Sequence, residues 1–197
     1  MSPKRRSPLL YLALIHYPVL NRRGEEVASA VTNLDLHDLA RLACTYDLPA
    51  CYVVTPLKDQ QELVKRLTHH WFHNVGKELH PDREKALRRL RLAPSVEAAC
   101  AEIRQETGKD PILWATSARR HSRVTEPAQA RGILEKEEVP GMLLLGTGWG
   151  LAPSVLDLCA GFLPPIEGRS QYNHLSVRSA ASILVDRFFG QGACIHG

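Results

Sequence analysis

The sequence predicts a single α/β domain built on a parallel sheet with helices on its faces. Short apolar runs alternate along the chain with segments that carry apolar residues at helical spacing, a pattern typical of such sheets. The chain has 197 residues, 44% of them hydrophobic and 23% charged, which is enough to bury a real core. No apolar run reaches the length of a membrane span, so we expect no membrane segment.

The expected domain covers residues 9–190, between a flexible basic tail at 1–8 and a short tail at 191–197. The five cysteines are an odd number and contain no Cys-x-x-Cys pair. This pattern indicates reduced thiols and therefore a cytoplasmic protein.

The first 55 residues predict a βαβ unit. A strand over 9–15 leads into a loop over 16–31 with a turn at 21–24. The next helix is capped by Asn33 or Asp35, and a buried strand over 51–55 follows it. The apolar residues of that helix lie at helical spacing: Leu36, Leu39, Ala40 and Ala43.

The middle of the chain predicts four further helices and one strand. An amphipathic helix over 59–73 has Leu63, Val64 and Leu67 inward, and a loop over 74–81 leads to a cationic helix over 83–92. Another helix over 96–107 lies between a Ser95 cap and Gly108. A strand over 112–115, a polar loop over 116–119 and a helix over 126–136 complete this part.

The last third carries the candidate site. A strand over 142–145 ends at a loop with three glycines in five residues, and a second apolar run over 159–163 ends at a proline-rich loop over 164–168. A helix then begins after Asn173 or Ser176. Its apolar positions are Val177, Ala180, Ala181, Leu184, Val185 and Phe188. Two loops at the ends of neighbouring strands, with a helix N-terminus, predict a ligand crevice.

Several familiar sites are excluded by spacing. The glycine loop lacks the Lys-Ser/Thr of a phosphate-binding loop and the third-glycine position of a dinucleotide fingerprint. His69 and His73 lie one helical turn apart but have no third ligand nearby, so we expect no metal. No Gly-x-Ser-x-Gly elbow supports a hydrolase triad.

The net charge of +4 is modest, but basic residues cluster in the tail, near 22–23, over 83–91 and over 119–123. Such clusters are either ordinary solvated faces or contacts to a polyanion.

Three blocks give the chain a resemblance to the SPOUT class of RNA methyltransferases, from about Tyr11 to Gly190. The block from Asn33 to Arg41 resembles the first motif of the ribose-methylating branch. The block from Leu143 to Leu151 is similar to the second motif, with Thr147 where an acidic residue is usual. The third comprises 163–166 and 172–177, in which His174 stands in place of an asparagine.

This resemblance implies an S-adenosylmethionine-dependent enzyme that methylates a ribose hydroxyl or base nitrogen of tRNA or rRNA. It also implies a C-terminal trefoil knot and a homodimer. The implied catalytic residues are Arg41, Asn33, His174 and Ser176. The implied cofactor-binding residues are Thr116, Leu145, Gly146, Thr147, Gly148, Trp149, Gly150, Leu163, Pro164, Pro165, Ile166, Gly168, Tyr172, Asn173, His174 and Leu175.

Two alternatives stay open at this point. Because Thr147 and His174 depart from the motifs, the chain could be an RNA-binding or scaffold protein that keeps the fold without turnover. Methyl transfer to a protein or a small molecule is a third reading. For Arg41, the alternative to a catalytic role is a salt bridge to Asp38 or another carboxylate.

Overall fold

The computed structural model describes residues 8–73 and 81–189. Within those residues, six strands form one parallel sheet in the order β5-β4-β1-β7-β6-β8. The strands of this sheet are β1 Leu10–Ile15, β4 Cys51–Val54, β5 Leu90–Ala93, β6 Ile112–Ala115, β7 Gly141–Gly146 and β8 Gly161–Phe162. A small antiparallel hairpin, β2 Val19–Leu20 with β3 Glu26–Val27, lies outside it. The predicted parallel α/β sheet is confirmed.

The helices connect the strands and cover both faces of the sheet. They are α1 Asn33–Thr45, α2 Lys58–His73, α3 Pro81–Leu87, α4 Val96–Thr107, α5 Pro127–Glu137, α6 Pro153–Leu156 and α7 Val177–Phe189. No helix in the described ranges combines the length and apolarity that crossing a bilayer requires.

The strand β1 is the centre of the core. All six of its residues are buried, as expected of a strand covered on both faces. Tyr11, Ala13 and Ile15 pack towards α4 and α6. Leu10, Leu12 and Leu14 pack on the opposite face, against apolar residues of α1, α5 and α7. Alternate residues of one strand thus build two hydrophobic layers.

The predicted cationic helix over 83–92 was wrong in its second half. The helix ends at Leu87, and Leu90–Ala93 forms the edge strand β5, paired with β4. Leu90 and Leu92 alternate with Arg89 and Arg91, and this period of two suits a strand once β4 offers its backbone hydrogen bonds. Arg91 then reaches Glu102 at 3.0 Å across to α4.

Other differences concern ends and exposure. Thr32, rather than Asn33 or Asp35, caps α1, because its hydroxyl accepts a hydrogen bond from the Asp35 N–H. Leu63 is exposed, not inward, whereas Val64 is buried as predicted. The hairpin β2–β3 occupies part of the predicted loop over 16–31. The predicted tails and most of the loop over 74–81 lie outside the described residues.

The final helix agrees well with its periodicity. Ala181, Leu184, Val185 and Phe188 are buried, and α7 packs against α1 and α5. A hydrogen bond of 2.7 Å from the Tyr46 hydroxyl to Asp186 links α7 to the end of α1. Ser176 rather than Asn173 caps this helix, since the Ser176 hydroxyl accepts from the Ser179 N–H at 3.2 Å.

Candidate functional site

The strand order creates a topological switch point between β1 and β7. From β1 the chain moves outward through β4 to β5, and it then crosses to the other half of the sheet, which holds β7, β6 and β8. In open parallel sheets, ligands bind outside the carboxyl ends of the strands at such a point. The loops that leave β1, β6, β7 and β8 therefore define the candidate site.

Hydrogen bonds tie the loops after β6 and β8 together. The Leu163 N–H donates to the Ala115 carbonyl at 2.9 Å, and the Asn173 side-chain amide donates to the Ala118 carbonyl at 2.9 Å. Arg120 forms an ion pair of 2.6 Å with Glu167. Thr116 turns the other way and donates to the Leu144 carbonyl of β7 at 3.0 Å. The loops after β6 and β8 are thus joined to each other, and the glycine loop leaves the neighbouring strand β7 at the same edge of the sheet.

The glycine loop 146–150 takes a conformation that other residues rarely adopt. Gly148 has φ +60° and Gly150 has φ +115°. The hairpin holds the loop in place, because the Trp149 N–H donates to the Leu20 carbonyl at 2.9 Å and the Leu20 N–H donates to the Gly150 carbonyl at 2.8 Å. The Trp149 ring is 55% exposed beside this backbone.

The residues predicted to bind the cofactor divide into buried and open positions. The side chains of Leu145 and Leu163 lie in the hydrophobic core, so only their backbone groups are available to a ligand. Tyr172 and Leu175 are exposed, and the Tyr172 ring meets the His174 ring edge-on at 5.4 Å. The positions of intermediate exposure are Thr116, Gly146, Thr147, Gly150, Pro164, Pro165, Ile166 and Asn173, while Gly148 and Gly168 are exposed.

Thr147 is engaged within the fold. Its hydroxyl donates to the Ile15 carbonyl at 2.9 Å and lies 2.5 Å from the Ser29 hydroxyl. Ser29 lies in turn 2.9 Å from Nδ1 of His16, an imidazole that has no solvent exposure. Burial lowers the pKa of His16 below its ordinary value, although nearby Asp35 opposes the shift. Thr147 therefore fixes the loop position, a different task from that of an acidic side chain.

A groove between α1 and α7 contains two of the four predicted catalytic residues. It encloses about 450 Å³, and its lining includes Arg41 and Ser176. Asn33 and His174 are exposed near the beginnings of α1 and α7 but are not lining residues of the groove.

The alternative role of Arg41 as a partner of Asp38 is wrong. Asp38 lies 3.5 Å from Arg178, which also approaches Asp35 at 3.6 Å. Within residues 8–73 and 81–189, Arg41 has no ion pair and its side chain is exposed. Its guanidinium is available to an anionic ligand.

The loop after β6 is basic and partly ordered by stacking. His121 stacks on Phe162 with ring centroids 3.6 Å apart and planes within 4°. Burial, and then the charge of Arg119, lower the pKa of His121. Arg119 and Arg123 are exposed on either side of it. In the part of the chain that the structure describes, no group of three or more His, Cys, Asp or Glu side chains could hold a metal.

Sequence reasoning missed His16, Ser29 and Arg178. Ser29 and Thr147 are 118 positions apart, and neither shows any local signal of its partner. Only the parallel pairing of β1 with β7 brings them together. Arg178 could have been found, since it directly follows the third motif block.

Comparison with known proteins places these features in a family context. A family model described as "SAM-dependent RNA methyltransferase" matches residues 9–190. A tRNA (guanine-N(1)-)-methyltransferase from Oleidesulfovibrio alaskensis is 46% identical over 181 residues, which are 92% of this chain and 42% of the relative. The chain therefore spans less than half the length of that relative, so the activity in its name belongs to a larger protein.

Solved structures match the fold at low sequence identity. A methylase family protein from Neisseria gonorrhoeae has a TM-score of 0.62 and 14% identity, with 98% of this chain and 86% of the other covered. The SpoU methyltransferase AviRb from Streptomyces viridochromogenes, solved with AdoMet, has a TM-score of 0.55 and 16% identity, with 94% of this chain and 61% of the other covered. The SPOUT-like sheet that the resemblance implied is confirmed; the threading of a knot stays a prediction.

Proposed function

The chain belongs to the family of SAM-dependent RNA methyltransferases, and from this premise we propose that it transfers the methyl group of S-adenosylmethionine to RNA. The observation that carries the proposal is the position of the glycine loop 146–150: it leaves β7 at the switch point of a parallel sheet, beside the neighbouring strands whose loops, after β6 and β8, are joined to each other. The matched family segment contains all of these loops.

The residues at this edge fit a nucleoside cofactor. Gly148 packs against the Leu20 carbonyl of the hairpin, whereas Gly150 has positive φ and a Cβ there would meet no atom within 4 Å, so the open side of the loop lies at Gly150. The loops after β6 and β8 would contribute backbone groups, with Ile166 and Leu175 as apolar contacts. S-adenosylmethionine supplies a methyl group on a sulfonium centre that is itself a good leaving group. The chain must then orient the acceptor and exclude competing water.

Arg41 is proposed to hold the RNA acceptor. Its exposed guanidinium lies in the α1–α7 groove with Ser176 and has no ion pair in the described residues. A planar guanidinium can bind a phosphate through two parallel hydrogen bonds or stabilise a developing alkoxide. Asn33, His174 and Ser176 remain proposed helpers, although Ser176 also caps α7.

A basic surface beside the glycine loop suits the RNA backbone. Arg119 and Arg123 lie in the loop after β6, and Arg22 and Arg23 lie at the tip of the hairpin that clamps the glycine loop. All four are exposed. Phosphate contacts of this kind position a nucleic acid without reading its sequence.

We also propose the homodimer that the resemblance implies, with the α1–α7 face as its interface. Leu34 and Leu175, beside the N-termini of the two helices, are 64% and 48% exposed. A dimer through this face would cover both. Light scattering after size-exclusion chromatography should give twice the mass of one chain; a monomer at tens of micromolar would contradict this proposal.

The methyltransferase proposal is tested by binding and transfer together. Calorimetry should show binding of S-adenosylmethionine and its demethylated product. Tritiated cofactor should label RNA from cells that lack the protein. Absence of binding to both cofactors contradicts the proposal. Binding of RNA without label transfer favours the non-catalytic RNA-binding protein instead.

The substrate is sought by nucleoside mass spectrometry of RNA with and without the protein. N1-methylguanosine in tRNA is the first product to measure, because the Oleidesulfovibrio relative carries that activity in its name. A change in a 2′-O-methylated nucleoside instead would assign the chain to ribose chemistry.

Arg41→Ala should reduce methyl transfer by at least about 100-fold while cofactor affinity changes less than about twofold, since the proposed contact is made to the acceptor. Arg66→Ala is the matched control, because Arg66 is an exposed helical arginine whose ion pair in the described residues is with Glu62, four residues away. Equal loss of transfer and cofactor binding in Arg41→Ala would show that Arg41 is structural.

A further inference from the structure

We infer that His16, Ser29 and Thr147 form a buried positioning relay that fixes the glycine loop relative to the segment leading into α1. The inference rests on the proposed function, since it assigns the relay to the cofactor pocket. Each member comes from a different part of the site: the end of β1, the loop before α1 and the loop after β7.

The hydrogen-bond order follows from the group at one end. A carbonyl can only accept, so the Thr147 hydroxyl proton goes to the Ile15 carbonyl. The Ser29 hydroxyl must then donate to Thr147, over 2.5 Å, and accept from His16 over 2.9 Å. His16 therefore carries its proton on Nδ1 and donates it to Ser29. Every hydroxyl proton in the relay has one possible acceptor.

The first member of the relay is enclosed by the core and bonded to the sheet. His16 has no solvent exposure, and its backbone N–H donates to the Val54 carbonyl of β4 at 2.9 Å. The Ser29 N–H also donates to the His16 carbonyl at 2.8 Å, so side chain and backbone fix Ser29 together. Nε2 of His16 is a buried acceptor with no hydrogen-bond partner in the described residues. A proton on Nδ1 leaves Nε2 as this unsatisfied acceptor. The tautomer of His16, which sets the order of the relay, is therefore what the experiments must test.

The consequence concerns the glycine loop. Leu20 of the hairpin holds the far end of this loop through its backbone, and the exposed Trp149 ring does not anchor the loop to the core. Thr147 is the side chain through which the loop is hydrogen-bonded to β1 and to Ser29. Ser29 lies four residues before Asn33, the first residue of α1, which carries Arg41. The relay thus holds the proposed cofactor loop and the proposed acceptor helix in one arrangement.

The first experiment measures the dissociation constant of S-adenosylmethionine by calorimetry. Thr147→Val keeps the shape and removes the hydroxyl, so affinity should fall about tenfold. Thr147→Ser restores the hydroxyl and should recover most of it. Thr68→Val is the matched control, because the Thr68 hydroxyl donates to carbonyls of its own helix, those of Val64 and Lys65. Unchanged affinity in Thr147→Val, with the wild type binding, would overturn the relay.

A second experiment does not need a ligand. Hydrogen exchange of residues 146–151 should become faster in Thr147→Val and in Ser29→Ala, while exchange in α4 stays as in the wild type. His16→Asn keeps an N–H near the Nδ1 position and should leave this loop protected, whereas His16→Leu should not. Uniform exchange of the loop across all variants would overturn the relay even if the wild type binds no cofactor. Absence of wild-type cofactor binding, by contrast, would count against the proposed function alone.

Discussion

At the scale of single residues, burial decides the chemistry of the histidines. His16 has no exposure, and burial lowers its pKa; His37 and His121 are shifted in the same direction, first by burial and then by nearby arginines. The pKa of each of these imidazoles in the folded chain therefore lies below the value of about 6.5 that it has when the chain is unfolded. The unfolded state therefore binds more protons below that pH.

This shift predicts the pH dependence of stability. A folded pKa below the unfolded value means that the contribution of His16 is fully present above about pH 6.5 and is lost as the pH falls from there towards the folded pKa. The free energy of unfolding, measured by urea denaturation, should thus be lower at pH 5.5 than at pH 8. His16→Asn cannot titrate and should make this difference smaller; an equal difference in variant and wild type would contradict the prediction.

Arg178 is the second residue whose role is set by its neighbours. Its guanidinium approaches Asp35 and Asp38 of α1 from the N-terminal turn of α7. The Arg178 side chain is 28% exposed, that of Asp35 14% and that of Asp38 50%. Partly exposed ion pairs at 3.5–3.6 Å contribute modestly to stability. They also engage both acidic residues of α1, so that Arg41 has no carboxylate partner among residues 8–73 and 81–189.

The substitution Arg178→Met should therefore alter function more than stability. We expect unfolding to change by about 1 kcal/mol or less. Asp38 then becomes the nearest free carboxylate on the helix of Arg41, so methyl transfer should fall while cofactor affinity is kept. Asp38→Asn combined with Arg178→Met should recover part of the activity, because the competing carboxylate is removed. Measured turnover that is unaffected by Arg178→Met would contradict this account.

At the scale of elements, the sequence predicts what is local and misses what depends on a partner. Helix α4 was predicted with its Ser95 cap and Gly108 end because both signals are adjacent to the periodic segment. The edge strand β5 was missed, since Arg88, Arg89 and Arg91 continue the charged pattern of the preceding helix, and the pairing with β4 has no local signal. The same limit applies to the site: the glycine and proline loops have local signatures, whereas the contact between Ser29 and Thr147 depends on strand order.

Substitutions at two glycines test how tightly the loop after β6 packs against β8. A Cβ at Gly161 would lie 2.9 Å from the Arg123 carbonyl, and a backbone oxygen cannot move without moving its loop. Gly161→Ala should therefore destabilise the fold by about 1–3 kcal/mol. Gly132→Ala, in α5 where no atom lies within 4 Å, should stabilise it by up to about 1 kcal/mol. Chemical denaturation of both variants gives the comparison, and effects of the same sign would contradict it.

At the scale of the whole molecule, topology and charge lead to the same edge of the sheet. The switch point between β1 and β7 sets the position of the glycine loop, and the loops on either side of it carry Arg22, Arg23, Arg119 and Arg123. The net charge of +4 alone would not have indicated an RNA partner. The placement of these charges on the loops beside the glycine loop is what makes the surface informative.

If this edge contacts RNA phosphates, the affinity for RNA should depend on salt in a way that particular arginines control. The logarithm of the binding constant should fall linearly with the logarithm of salt concentration, and removing two phosphate contacts should reduce that slope by about 1.5–2. The double substitution Arg119→Gln with Arg123→Gln makes this change at the loop after β6. Lys65→Gln with Arg66→Gln removes the same charge from exposed positions on α2 and should leave the slope nearly unchanged. Filter binding across 50–300 mM salt distinguishes a local surface from the effect of net charge: equal slopes in the two double variants would mean that RNA does not bind at this edge.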